Sequence, residues 1–109
     1  MAGNNQKHVI QMLDIIHERY QDSELTVESV TESIGFSTNY ARKLFKDQTG
    51  QSISVYLNEY RFNKAKELLL STNLPAKRIG EMVGIPNHNY FYFSFKKITG
   101  KTPDQFRKS

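Results

Sequence analysis

Apolar residues recur at helix spacing along nearly the whole chain, separated by short polar breaks. From about Lys7 to Asp22, Val9, Met12, Leu13, Ile16 and Tyr20 share one face, which predicts an amphipathic helix. The polar stretch before it, residues 1–7, is expected to be disordered, and Gln21-Asp22-Ser23-Glu24 is a connector. Thr26 suits the N-cap of a short second helix that buries Val27, Val30 and Ile34, with Glu28 in the first turn where the dipole favours an anion. Gly35 ends it, and Ser37 caps a third helix to about Gln48, with Tyr40, Leu44 and Phe45 turned inward. Beyond Thr49-Gly50-Gln51, Ile53, Tyr56, Leu57, Tyr60, Ala65, Leu68 and Leu69 keep helical register from about Ile53 to Ser71. At about 1.5 Å per residue that is a rod of about 27 Å. Further helices are predicted at about 76–83, at about 88–98 and from Thr102-Pro103, a first helical position that suits proline.

Part of this pattern is present twice. Leu25, Val30, Ile34 and Gly35 recur 49 positions later as Leu74, Ile79, Val83 and Gly84. Tyr40, Phe45, Lys46, Thr49, Gly50 and Tyr56 recur 50 later as Tyr90, Phe95, Lys96, Thr99, Gly100 and Phe106. The extra residue falls in the turn after the glycine, where a length change is cheapest. Two helices joined by a tight glycine-containing turn form a helix-turn-helix. The second copy departs from the first in two places. Pro75 stands where Thr26 did, so a side-chain cap is missing, and Gly80 lies inside a helix, at a cost of about 1 kcal/mol against alanine unless a close contact needs it. No glycine- or serine-rich linker separates the copies, so one rigid body is expected.

Composition narrows the chemistry. With 109 residues and 38 % apolar content, the chain can form one compact domain or two small lobes sharing a helix. It has no cysteine, which excludes disulfides, thiol nucleophiles and thiolate metal sites. No apolar run approaches the roughly 20 residues of a membrane span, and the N-terminus lacks a signal-peptide core, so no membrane partner and a cytoplasmic location are expected. His8, His17 and His88 do not stand at zinc-ligand spacing beside carboxylates, and the chain has neither a phosphate-cradling glycine loop nor a nucleophile elbow. No catalysis, no metal and no cofactor are expected. Charge is uneven: residues 1–50 carry five Lys/Arg against seven Asp/Glu, whereas residues 51–109 carry ten against four. That asymmetry favours a polyanionic partner over an acidic small molecule.

Helix-turn-helix units and a polyanion together point to duplex DNA, whose major groove admits an α-helix and shows a distinct donor and acceptor pattern for each base pair. The outward face of the first recognition helix should carry Thr38, Asn39, Arg42, Lys43 and Lys46. Arg pairs bidentately with guanine and Asn with adenine, so Asn39, Arg42 and Lys43 are the expected base readers. Thr38 and Lys46 are assigned to phosphates. The second recognition helix should expose His88, Asn89, Tyr92, Phe93 and Lys96, with Tyr90, Phe91 and Phe95 inside. At about 100° per residue, the run Tyr90-Phe91-Tyr92-Phe93 must turn at least one ring outward. Such a ring either meets a thymine methyl or packs on a neighbouring helix. Lys77, Arg78, Lys96, Lys97 and Lys101 are assigned to phosphates, which set affinity and salt dependence rather than sequence.

The chain resembles the DNA-binding domain of the AraC/XylS family of bacterial transcription regulators over about residues 8–108. The residues that carry the resemblance are Gly35-Phe36-Ser37, Tyr40, Leu44-Phe45-Lys46 and Thr49-Gly50, then Tyr56-Leu57, Arg61, Ala65-Lys66 and Leu68-Leu69. In the second half they are Ile79, Val83-Gly84, Tyr90-Phe91, Phe95-Lys96-Lys97, Gly100-Lys101-Thr102-Pro103 and Phe106-Arg107. The resemblance implies an all-α fold of seven helices. A first helix-turn-helix subdomain (8–50) and a second (74–108) would be joined by a linker helix (53–71). It also implies two recognition helices, at about 38–48 and 88–98, entering successive major grooves about 34–36 Å apart. Base contacts then fall on Asn39, Arg42, Lys43, His88, Asn89, Tyr92 and Phe93, and phosphate contacts from helix N-termini fall near Thr26, Ser37, Ala76, Thr102 and Pro103. The implied partners are double-stranded DNA and RNA polymerase.

The family commonly has Ser-Arg where this chain has Tyr92-Phe93. With Pro75 and Gly80, that difference leads us to expect a second unit that reads DNA weakly or differently. Family members usually carry a further sensor domain. Only about 24 residues precede the first repeat here, so the chain is expected to be a short stand-alone regulator or a C-terminal domain. It should bind as a monomer, with any dimerisation supplied by another domain. The competing expectation is a helical protein-interaction module that has kept the fold but not specific DNA binding, supported by the Tyr92-Phe93 aromatics.

Overall fold

The computed structural model describes residues 2–109. Among them the regular structure is helical: α1 (Ala2–Arg19), α2 (Val27–Glu32), α3 (Thr38–Thr49), α4 (Ile53–Ser71), α5 (Ala76–Met82), α6 (His88–Thr99) and α7 (Pro103–Lys108). Helix α1 begins at Ala2, earlier than the expected disorder of residues 1–7 allows; Met1 lies outside the described residues. The polar residues there add no apolar face, so their pattern gives no signal. Once the Val9–Ile16 stripe is packed, however, extending the helix backwards needs no new nucleus.

The chain divides into two compact units, residues 1–20 with 24–58 and residues 21–23 with 59–109. Helix α4 contributes its first turns to one and the remainder to the other. The first unit closes over Val9, Met12 and Ile16 of α1, Val30 of α2, and Ala41, Leu44 and Phe45 of α3. Ile53 and Leu57 of α4 complete that core. The second closes over Phe62, Ala65 and Leu69 of α4, Ile79 of α5, Val83 and Ile85 of the turn, and Phe91 and Phe95 of α6. Phe62 and Phe91 stack nearly parallel at 5.7 Å, and Phe106 of α7 stands edge-on to Phe95 at 5.3 Å. Arg61 donates to the Asp22 carbonyl at 2.8 Å, which ties the 21–23 connector to the second unit. Burial pulls the Arg61 guanidinium below its usual pKa, and Asp22 and Tyr90 pull the other way.

The repeat survives in the hydrogen bonding. Thr49 Oγ1 donates to the Phe45 carbonyl at 2.8 Å and accepts from the Gln51 amide; Thr99 Oγ1 does the same with Phe95, at 2.9 Å, and with Lys101. Both helix-turn-helix turns pass through a glycine with positive φ, Gly35 at 74° and Gly84 at 89°, where a Cβ would be strained. Gly80 has a different reason. A Cβ there would lie 2.9 Å from the Ile85 carbonyl and 3.1 Å from the Phe91 ring. The glycine lets α5 and the turn lie against Phe91, so its propensity cost secures a close contact and is no sign of a weakened unit.

Candidate nucleic-acid interface

In the first unit, Thr26 accepts from the Ser29 amide and Ser37 from the Tyr40 amide, capping α2 and α3 as their positions require. With those ends fixed, Ala41, Leu44 and Phe45 form the buried stripe of α3. Asn39, Arg42, Lys43 and Lys46 are exposed together on the other side, and Thr38 is half-buried against the Thr31 hydroxyl. At about 100° per residue, Lys43 points about 180° from the midpoint of Ala41 and Phe45, at the apex of the outward face. Arg42 reaches Glu28 of α2 at 3.3 Å, with both side chains more than half exposed. An exposed pair of this kind contributes about 0.2–1 kcal/mol, so it orients Arg42 without locking it.

In the second unit, Asn87 accepts from the Tyr90 amide at 2.9 Å and starts α6. Phe91 and Phe95 take the buried stripe, and Phe93 occupies the apex that Lys43 holds in α3. Phe93 is 69 % exposed, Asn89, Lys96 and Lys97 are exposed around it, and Tyr92 is half-buried against the His88 ring at 5.8 Å. The His88 Nδ1 is shielded and has no hydrogen-bond partner among the described residues. Lys77, Arg78 and Lys101 are exposed, with Arg78 at 3.8 Å from Glu81. Ala76 is buried at the start of α5, where Pro75 supplies no side-chain cap. Thr102 forms a capping box with Gln105: its Oγ1 accepts from the Gln105 amide, and its own amide donates to Gln105 Oε1 at 3.0 Å. That amide is therefore engaged, which leaves the hydroxyl as the available donor to a phosphate.

Two expectations about α3 and α6 need correction. Tyr40 and Tyr90, both expected inside, are 44 % and 51 % exposed. Their cores are set by pairs four apart, Ala41 with Phe45 and Phe91 with Phe95, and a residue one step earlier is rotated about 100° off that stripe. Tyr40 instead stands edge-on to Phe36 at 5.1 Å, and Phe36 in turn to His8 at 4.9 Å.

Ser52 and Ser54 escaped sequence reasoning. At the start of α4, they join Arg42, Lys43, Lys46, Val27 and Ile53 around a recess of about 360 Å³. Ser52 also caps α4, accepting from the Val55 amide at 3.2 Å. The 50-residue offset that pairs it with Thr102 was the signal available. Glu28 stood out only as a favourable first-turn charge; its pairing with Arg42 depends on how α2 crosses α3, and spacing alone does not give that. Among the described residues no group of three or more His, Cys, Asp or Glu could hold a metal ion, and no helix is long and apolar enough to cross a membrane.

A helix-turn-helix domain family matches residues 30–109. The C-terminal domain of the two-component response regulator yesN from Fusobacterium nucleatum is 40 % identical, with a TM-score of 0.84 over 88 % of this chain and 93 % of that one. The C-terminal domain of AraT, a response regulator from Geobacillus stearothermophilus, is 39 % identical, with a TM-score of 0.88 over 93 % of this chain and 84 % of that one. The xylose operon regulatory protein of Escherichia coli is 35 % identical over 83 residues, which are 76 % of this chain and 21 % of that protein. The chain spans from 12 % to 38 % of the length of the curated relatives it matches.

Proposed function

The chain belongs to the AraC/XylS family of helix-turn-helix regulators, and from that premise we propose that it binds duplex DNA in a sequence-specific way and thereby regulates transcription. Helices α3 and α6 are the readers, each in a major groove, and the grooves are successive ones along one face of the duplex. The observation that carries this reading is the repeated outward face, Asn39, Arg42, Lys43 and Lys46 on α3 and Asn89, Phe93, Lys96 and Lys97 on α6. In each copy it stands opposite a buried stripe set by the same helix register.

Asn39 and Arg42 have the donor geometry for adenine and guanine edges, and Lys43 adds a charged donor at the apex. Lys46, Lys77, Lys96, Lys97 and Lys101 neutralise phosphates and release counterions. Ser52 and Ser54 place hydroxyls beside the α3 cations, where a backbone phosphate can be held. The domain acts in the bacterial cytoplasm as a binding module without catalysis, reads DNA as a monomer and touches RNA polymerase. Any dimerisation comes from other parts of a longer protein.

Fluorescence anisotropy on a duplex recovered by selection, against a scrambled duplex, tests the reading across a salt series. The selected duplex should bind at least about a thousandfold more tightly, with log K falling by about 0.9 per phosphate contact for each unit of log salt. Equal binding to both duplexes, flat in salt, contradicts it and favours a protein-docking module.

A further inference from the structure

The most exposed large apolar side chain in the described structure sits where a reader of bases belongs. Phe93 is 69 % exposed, at the apex of α6, in the position that Lys43 occupies on α3. A lysine there can donate to a base edge; a phenyl ring cannot. Among the groups that a base pair presents in the major groove, the apolar one is the C5-methyl of thymine. The surroundings of Phe93 match that occupant. Helix α6 contains no acidic residue, Asn89 lies one turn before Phe93, and Lys96 and Lys97 lie one turn after it. An Asn in that place suits adenine, whose pairing partner is thymine, and the lysines suit the phosphates that flank the groove. Tyr92 does not compete for the apex, because it is half-buried against the His88 ring.

We propose that α6 reads its half of the operator through thymine methyl groups, with Phe93 as the side chain that covers them. This rests on the duplex-binding reading above and adds to it a base preference and a contact chemistry. The first copy then selects by hydrogen bonds and the second by apolar fit, which offers an alternative to the expectation that the second unit is merely weak.

The test replaces thymine by deoxyuridine, one position at a time, within the element that α6 covers on a selected duplex. Deoxyuridine keeps every hydrogen-bonding group and removes only the methyl. At one or two positions the wild-type chain should lose about fourfold in affinity per methyl, the cost of exposing one carbon group. Phe93→Ala should lose a similar or larger factor on the thymine duplex and no longer respond to deoxyuridine, whereas Phe93→Leu should keep most of the response. Since Phe93 is exposed, circular dichroism should show both variants folded. Deoxyuridine without effect throughout that element overturns the proposal, and so does a Phe93→Ala variant that stays as sensitive as wild type. The wild-type affinity for selected over scrambled duplex separates the two levels. If that preference stands and deoxyuridine does nothing, only the methyl reading fails; if the preference is absent, duplex reading itself fails and takes this proposal with it.

Discussion

Arg42 and Glu28 face each other at 3.3 Å, both in solvent. On DNA the carboxylate would stand near phosphates, while the guanidinium would be wanted at a guanine edge. Glu28 would therefore hold Arg42 ready and also compete for it. Because the pair is worth only about 0.2–1 kcal/mol, Glu28→Gln should tighten binding to a selected duplex by up to about fivefold; unchanged or weaker binding in anisotropy would count against a competing role. Arg42→Ala should cost about 1–3 kcal/mol on the selected duplex and far less on a scrambled one. At Gly80 the argument concerns space. A Cβ 2.9 Å from the Ile85 carbonyl must displace backbone, so Gly80→Ala should destabilise the second unit by about 1–3 kcal/mol. A thermal melt checks this, and an alanine variant as stable as the parent would show that the turn yields more easily than its geometry suggests.

At the scale of elements, the helices were legible because their ends are written in side chains. Thr26, Ser37, Asn87 and Thr102 each accept the amide their position calls for, and Gly50 and Gly100 close α3 and α6. What spacing missed has physical causes. A period of 3.6 assigns a tyrosine at a stripe's edge to the core, whereas Ala41 and Phe91 had already filled the place that Tyr40 and Tyr90 were expected to share. The start of α1 carried no apolar signal. The recess beside α3 depends on Ser52 and Ser54 being brought next to cations that precede them by several residues and a turn. Arg107 is a further case: its Nε donates to the Leu69 carbonyl at 3.0 Å and its Nη2 to that of Leu74, fastening α7 to the end of α4 and the lead into α5. Arg107→Ala should expose those carbonyls and cost about 1–3 kcal/mol. Hydrogen exchange should then quicken in α5 and α7 first; uniform protection would make the contact incidental.

Across the whole molecule the charge is divided unevenly, with ten Lys/Arg against four Asp/Glu after residue 50 and five against seven before it. On the proposed reading, the second half would supply most of the attraction to phosphate, and α3 most of the hydrogen-bonded readout. Neutralising Lys96 and Lys97 should weaken selected and scrambled duplexes alike and lower the salt slope by about 0.9 for each phosphate that is no longer neutralised. The measurement closest to the central claim is selection of binding sites from a random duplex library by the wild-type chain. Two readers on one chain predict a gapped, non-palindromic motif with two elements about 10 base pairs apart, the one covered by α6 containing thymine. A library that emerges without any enriched sequence would contradict the account.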